Sequence, residues 1–210
     1  MTKNLSENVN GKFKFQRQAS ALIPTPWGPF HLIAFSNDPA DQMPHLALVH
    51  QDFKLGEPSV VRLHSECITG DLFSSKRCDC GEQLHRALQI AAERKGLVLY
   101  LRQEGRGIGI INKLKAYNLQ DAGLNTVDAN LHLGLEADAR QYDIAIQMLQ
   151  MLGITEIFLL TNNPLKIHAF DNCPINVVGR LPIVIPPVKE NYDYLKTKQV
   201  EMGHLFDIIR

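Results

Sequence analysis

Cysteines set close together can hold a soft divalent metal, and residues 62–84, RLHSECITGDLFSSKRCDCGEQL, carry three of the four cysteines in the chain. Cys78 and Cys80 form a tight pair able to supply two adjacent thiolates, while Cys67 returns from an earlier strand end as a third. Three protein ligands leave one corner of a zinc tetrahedron for water, the arrangement of a catalytic metal. Three thiolates on Zn²⁺ leave a formal charge of minus one, which acidifies bound water less than a tris-histidine site does. Help from neighbouring polar groups is therefore expected, and His64, Glu66, Asp71 and Asp79 are nearest in sequence. Spacing leaves two other readings open: a closed structural zinc with His64 or Cys173 as fourth ligand, or reduced cysteines without metal.

Two further stretches suit anions. GLVLYLR (96–102) reads as a buried strand, QEGRGIG (103–109) as a glycine-rich turn flanked by Arg102 and Arg106, and INKLKAYNLQDAG as a helix with Leu114 and Leu119 near one face. Strand, turn and helix N-terminus can hold phosphate; an ordinary turn with solvated arginines is the alternative. EIFLLT (156–161) is a second buried strand, followed by NNPLK with Asn163 as N-cap and Pro164 at the first helical position. Lys166 then lies in the first turn of another possible phosphate cradle, or is merely exposed. Asp138 and Gln141 have the spacing of a capping box at the start of an amphipathic helix carrying Ile144, Met148, Leu149 and Leu152.

The elements that must position these residues imply an α+β (mixed α/β) fold, a mixed sheet with antiparallel N-terminal strands and packed helices. ALIPTPWGPFHLIAF (21–35) reads as a hairpin with Trp27 in packing, and HLALVH (45–50) and SVVRLHS (59–65) extend an antiparallel sheet towards the cysteines. Leu84, Ala87, Leu88, Ala91 and Ala92 recur at helical spacing up to Gly96. Residues 1–18 read as a mobile lead-in, 19–210 as a single domain, and the tail KENYDYLKTKQVEMGHLF as a helix packed on the body or on a partner subunit. Lys plus Arg equals Asp plus Glu at 22 each, so no overall basic field recruits nucleic acid and any anion site must be local. There is no apolar run long enough for a membrane span and no signal core, so a cytoplasmic protein with reduced cysteines is expected.

Taken in order, RLHSEC with ITGDLFSSKRCDCGEQL, LRQEGRGIG, AYNLQD, ADAR, LLTNNPLK and YLKTKQVEMGH closely resemble the GTP cyclohydrolase II family, from about Pro24 to His204. The resemblance implies an enzyme that opens GTP at the head of riboflavin synthesis. Zinc-bound hydroxide attacks C8 of guanine, C8 leaves as formate, and diphosphate is lost to give 2,5-diamino-6-(5-phospho-ribosylamino)pyrimidin-4-one. It further implies Mg²⁺ on the triphosphate and a homodimer. Cys67, Cys78 and Cys80 match the zinc ligands. Arg62, Leu63, His64, Ser65, Glu66, Gln83, Glu104, Gly105, Arg106, Thr126, Thr161 and Lys166 match positions that bind GTP. Asp138 matches the proton acceptor, Arg140 the nucleophile on the α-phosphate, and Tyr117 a tyrosine beside the base needed for complete ring processing.

GTP is strongly anionic, and Arg62, Arg102, Arg106, Arg140 and Lys166 offer countercharge. Gln83 and Glu104 are placed to read the edge of guanine. A guanidinium is a poor nucleophile unless a base takes its proton, and residues two apart on a regular helix do not face each other. Asp138 and Arg140 can meet if Asp138 lies in the turn before the helix; otherwise Arg140 only neutralises charge on the leaving diphosphate. Departures from the family are few: Gln141 where an acidic residue is common, with Leu101 and Gly107 as mild variations. The chain is expected to lack the second domain that makes some relatives bifunctional with 3,4-dihydroxy-2-butanone 4-phosphate synthase. A nucleotide-binding regulatory paralogue with structural zinc, and a relative stopping at the formamide, are the competing expectations.

Overall fold

The computed structural model describes residues 14–136 and 138–206. Strands β1 (Gln16–Thr25), β2 (Gly28–Ser36) and β3 (His45–His50) are followed by β4 (Ser59–Ser65), the short helix α1 (Ile68–Asp71) and α2 (Cys80–Glu93). Next come β5 (Leu97–Leu101), a 3₁₀ turn at Glu104–Gly107, α3 (Gly109–Asp121), α4 (Thr126–His132) and α5 (Asp143–Met151). The chain continues through β6 (Glu156–Leu160), α6 (Pro164–His168), β7 (Asn176–Leu181), a 3₁₀ turn at Lys189–Asn191 and α7 (Tyr192–Val200).

One mixed sheet runs in the order β1-β2-β3-β5-β4-β6-β7. The hairpin forms where expected, closed at Gly28 (φ 134°), with the Thr25 hydroxyl donating to the Gly28 carbonyl at 2.6 Å. Trp27 packs, against His85. β1, β2, β3 and β5 are antiparallel neighbours, but β4 does not extend that series: β5 lies between β3 and β4, and β4 pairs parallel with both β5 and β6. The cause is the long connection through α2, since a helical crossover returns the chain parallel where a tight turn returns it antiparallel. β1 begins at Gln16 and Phe15 stacks on Phe35, so the body starts inside the stretch expected to be a lead-in. Residues 1–13 of that stretch lie outside the described residues.

The central parallel strands bury apolar side chains on both faces, as covered strands must, with Arg62 and His64 of β4 as buried polar exceptions. On one side Leu63, Leu97, Leu99, Ile157 and Leu159 meet Met148 and Leu149 of α5; on the other Val60, Val98 and Leu160 meet Ala87, Leu88 and Ala91 of α2. α3 reverses the expected face. Leu114 is exposed, while Lys113 and Ala116 point inward, because the inner side of this helix meets polar groups rather than the core.

At Gly96, just before β5, a Cβ would stand 2.3 Å from the Val60 carbonyl oxygen. Gly96→Ala is expected to cost about 1–3 kcal/mol of folding stability through this overpacking. Urea denaturation measures it, and an unchanged midpoint would contradict the close approach.

The topology explains where the site forms. The segments after β4, β5 and β6 all leave from the carboxyl ends of neighbouring parallel strands, the edge at which open sheets bind ligands. Residues 62–66, 102–106 and 161–166 converge there.

Candidate active site

Cys67 is the N-cap of α1 and Cys80 the first residue of α2, so the ligand candidates ride on two helix starts. Glycines let those helices touch: a Cβ on Gly81 would stand 2.3 Å from the Gly70 carbonyl oxygen, and one on Gly70 2.9 Å from the Cys78 sulfur. The sulfurs of Cys67, Cys78 and Cys80 all lie within 4.8 Å of one another, a group that could hold a metal ion. The Cys67–Cys78 sulfur separation is 3.6 Å. Tetrahedral zinc with bonds of about 2.3 Å needs sulfurs about 3.8 Å apart, so the residues fit that ion. No fourth His, Cys, Asp or Glu among the described residues joins the group. Cys173 donates to the Ile175 carbonyl instead, and His64 Nε2 meets Asp71 at 3.1 Å.

Thiol hydrogen bonds from Cys78 and Cys80 hold the pKa of Cys67 far below the ordinary thiol range against the effect of burial, with the Lys113 ammonium assisting. The same Cys67 anion pushes Cys78 up to about 11 and Cys80 well above its usual value. One anion shared by three sulfurs is the state from which a dication displaces the remaining protons.

The elements around Cys67 hold it from several sides. Asp71 accepts from the Cys67 backbone N–H (3.0 Å) and the Tyr100 hydroxyl (2.8 Å), besides contacting His64. His64 stacks on Tyr100, and burial keeps its imidazole below the ordinary histidine pKa. Glu66 pairs with Arg102 at 2.6 Å. Lys113, which sequence patterning missed because a lysine in an amphipathic helix is normally assigned to solvent, places its ammonium 3.1 Å from the Cys67 sulfur and 2.8 Å from Glu104. Burial works against its charge, yet the Cys67 anion and Glu104 hold its pKa above the usual lysine value. Tyr117, one helical turn on, reaches Thr69 Oγ1 at 3.5 Å, and Thr69 in turn lies 3.6 Å from the Cys67 sulfur.

The opposite end collects cations. Asn163 caps α6 by accepting from the Leu165 N–H at 2.9 Å, and Thr161 is wholly buried. Lys166 is buried too, contrary to the exposed alternative, and donates to the Leu63 carbonyl at 2.7 Å. Arg62 donates to the Leu160 carbonyl (3.1 Å) and to Gln83 Oε1 (2.6 Å). Burial, then Arg62, Arg140 and Lys198, push the pKa of Lys166 well below the usual lysine range. So many cations around so little countercharge make a site that favours a polyanion.

Asp138 does not cap a helix. α5 begins at Asp143, and Asp138 lies in the preceding coil, where it takes Arg140 Nε at 2.7 Å, a second bond from Arg140 Nη2, and the Arg140 backbone N–H at 3.2 Å. Burial raises the Asp138 carboxyl, but the Arg140 hydrogen bonds and charge outweigh it and hold the pKa below the usual value. The segment is brought in by the 3₁₀ turn: Ala139 N–H donates to the Arg106 carbonyl at 3.0 Å, and Gly107 leaves no Cβ to strike Ala139. Gly105 and Arg106 both sit in the left-handed region at φ 63°, a conformation that costs about 1–2 kcal/mol at the arginine.

One cavity connects the sulfurs to the cations. Arg62, His64, Ser65, Glu66, the three cysteines, Gln83, Glu104, Gly105, Arg106, Tyr117, Thr126, Arg140, Thr161 and Lys166 line it. Leu63 and Asp138 do not, and neither does Arg102, which is held by Glu66; Leu63 offers its carbonyl to Lys166, and Asp138 stands behind Arg140. Gln83 and Glu104 are not free readers of a base. Gln83 bonds Arg62 and Asp79, while Glu104 accepts from Ile68 N–H, Gly105 N–H and Lys113, using three of about four carboxylate acceptor positions.

Tyr194, Lys198, Met202 and His204 also line the cavity, and Lys198 pairs with Asp79 at 2.7 Å. The tail therefore packs on the body. Its YLKTK…GH pattern was legible, but nothing in it says which way a lysine on a tail helix points. Burial, then Lys198 and Arg140, push His204 down to about 2, so the folded chain keeps it neutral whereas the unfolded chain protonates near 6.5. Below about pH 6.5 the unfolded state binds more protons, and stability falls with pH from there towards pH 2. His204→Gln is expected to reduce that decline in urea midpoints between about pH 7 and 5, leaving the part due to His45 and His64; equal slopes would contradict it.

Among the described residues no helix is long and apolar enough to cross a membrane. A riboflavin biosynthesis protein RibBA of Bacillus cereus is 52% identical over 193 residues, 91% of this chain and 48% of that protein. A RibBA of Bacillus mycoides is 51% identical over the same shares. The chain thus spans about half the length of these relatives. A crystal structure of RibBX, a two-domain 3,4-dihydroxy-2-butanone 4-phosphate synthase from A. baumannii, aligns with 81% of this chain and 40% of that one at 21% identity and a TM-score of 0.41, too slight a likeness to build on. The family model for GTP cyclohydrolase II matches residues 16–182, which contain the cysteine group and the segments that carry Arg62, Arg140 and Lys166. The chain belongs to the GTP cyclohydrolase II family.

Proposed function

We propose that this chain hydrolyses GTP to 2,5-diamino-6-(5-phospho-ribosylamino)pyrimidin-4-one, formate and diphosphate, the first step of riboflavin biosynthesis. The observation that carries it is one cavity with a three-sulfur group at one end and buried cations at the other. A purine nucleotide has the matching polarity, an electrophilic ring carbon at one end and a phosphate tail at the other.

Cys67, Cys78 and Cys80 would hold Zn²⁺, which supplies a Lewis acid and an acidified water when bound. Tyr117, whose pKa burial keeps above the usual phenol value, stays protonated beside that centre as a hydrogen donor to the opening ring. Arg62 and Lys166, with Thr161 and Thr126 of the cavity lining, bind the triphosphate, which brings Mg²⁺ with it. Gln83 and Glu104 act on the base through the groups they orient. One water opens the ring at C8, a second releases C8 as formate, and a third cleaves the phosphoanhydride.

Arg140 engages the α-phosphate with Asp138 aligning it. The two-pronged pair meets the condition that Asp138 lie before the helix, yet it holds the carboxyl below its usual pKa and burial-opposed hydrogen bonding holds Arg140 above its own. A weakened base beside a strengthened cation favours charge neutralisation over nucleophilic attack. The proposed setting is cytoplasmic, as a homodimer, with the exposed Leu72, Phe73 and Ile111 as apolar side chains for a second copy to cover.

Protein loaded with zinc and assayed with GTP and Mg²⁺ is expected to yield formate and diphosphate in equal amounts. GTP bound and returned unchanged would overturn the proposal in favour of a nucleotide-binding protein with a structural metal. Accumulation of the formylated product would make it a relative that stops at the formamide.

A further inference from the structure

Lys113 is an unusual resident of the cavity wall. Burying an ammonium costs several kcal/mol unless it is fully partnered, and here one partner is a carboxylate while the other is a sulfur. Glu104, at 2.8 Å, is itself fixed by two backbone N–H groups, Ile68 at 2.5 Å and Gly105 at 2.6 Å. Ile68 directly follows Cys67, so the segment after β5 grips this ligand candidate twice, at its backbone through Glu104 and at its sulfur through Lys113. Gly105 makes room for that grip: a Cβ there would stand 3.2 Å from Lys113 Cβ in a backbone conformation (φ 63°) that already disfavours side chains.

We infer that Lys113 is a positioning residue for the metal centre, donating an N–H···S hydrogen bond to Cys67 that draws charge from one thiolate of a tris-thiolate site. This rests on the cysteines being the metal site. Three thiolates on a dication carry a net negative charge, which weakens the metal as a Lewis acid. A hydrogen bond to sulfur lowers the energy of its lone pairs, reduces donation to the metal, and so restores some of that acidity. Lys113 does this without ligating the metal.

The test uses the full chain with cobalt(II) in place of zinc, reading the near-ultraviolet sulfur-to-cobalt charge-transfer band, together with formate release by the zinc form. Lys113→Met keeps the length and helix preference of the side chain but removes donor and charge. It is expected to move the band to lower energy and to lower kcat by about 10- to 100-fold, as loss of a ligand's hydrogen-bond partner typically does, with KM for GTP changed far less. Lys113→Arg is expected to keep the band near its wild-type position. If the methionine variant does not fold, Lys113→Gln set against Lys113→Arg carries the same comparison. A wild-type band that is present and unmoved in the uncharged variants overturns the inference alone. Failure of wild-type protein to take up cobalt or zinc at all overturns the metal site and the inference with it.

Discussion

Cys80→Ser is expected to empty the metal site and to cut formate release from GTP by about 10³-fold or more, because Lewis-acid stabilisation is worth several kcal/mol and each 1.36 kcal/mol is tenfold in rate. Cys80 begins α2, so its loss leaves two ligands on different segments, too few for tight binding. Diphosphate release should survive far better. Asp138 and Arg140 bond each other, and Lys166 bonds the Leu63 carbonyl; none of them depends on a cysteine for its position. The separation is checked by measuring formate, diphosphate and bound zinc on the same preparation. Parallel loss of both products with metal retained would mean that the serine had disturbed the cavity rather than the metal.

Arg140→Ala should give the opposite pattern: zinc retained, and diphosphate release lowered by about 10²- to 10³-fold, the usual cost of removing one preorganised charge partner of a transition state. The variant also leaves the largely buried Asp138 carboxylate without Arg140 and repelling an anionic tail, so GTP binding should weaken as well. Asp138→Ala added to Arg140→Ala removes that repulsion and is expected to recover part of the lost affinity, a coupling that a double-mutant cycle reads directly. If Arg140 instead attacks phosphorus, wild-type protein quenched during turnover will carry a guanylyl group on Arg140 by peptide mass spectrometry. Charge neutralisation predicts none.

How much of this was legible in the sequence depended on whether the signal was local. The Cys-x-Cys pair, the Asn163-Pro164 helix start and the β1–β2 hairpin are set by neighbours a few residues apart, and each forms as its pattern implies. Strand partnership is not local: β4 carried the right composition, but its place beside β5 follows from the path through α2. The Asp138–Gln141 spacing looked like a cap, yet the Arg140 guanidinium competes for the same carboxylate and wins, and the helix starts at Asp143. Lys113 and Lys198 were hidden for a common reason. Hydrophobic periodicity assigns lysines to water, whereas here Glu104 and the Cys67 sulfur hold one inside and Asp79 the other. Inward-facing charge is visible only once its partners, drawn from distant segments, are assembled.

The most direct measurement is a crystal structure of the zinc-loaded protein with a non-hydrolysable GTP analogue and Mg²⁺. The expected density has zinc on Cys67, Cys78 and Cys80 with its remaining position open towards C8 of the purine, and Arg140 against the α-phosphate. Zinc closed off by a fourth protein ligand, or a nucleotide whose base lies away from the sulfurs, would contradict the proposed chemistry.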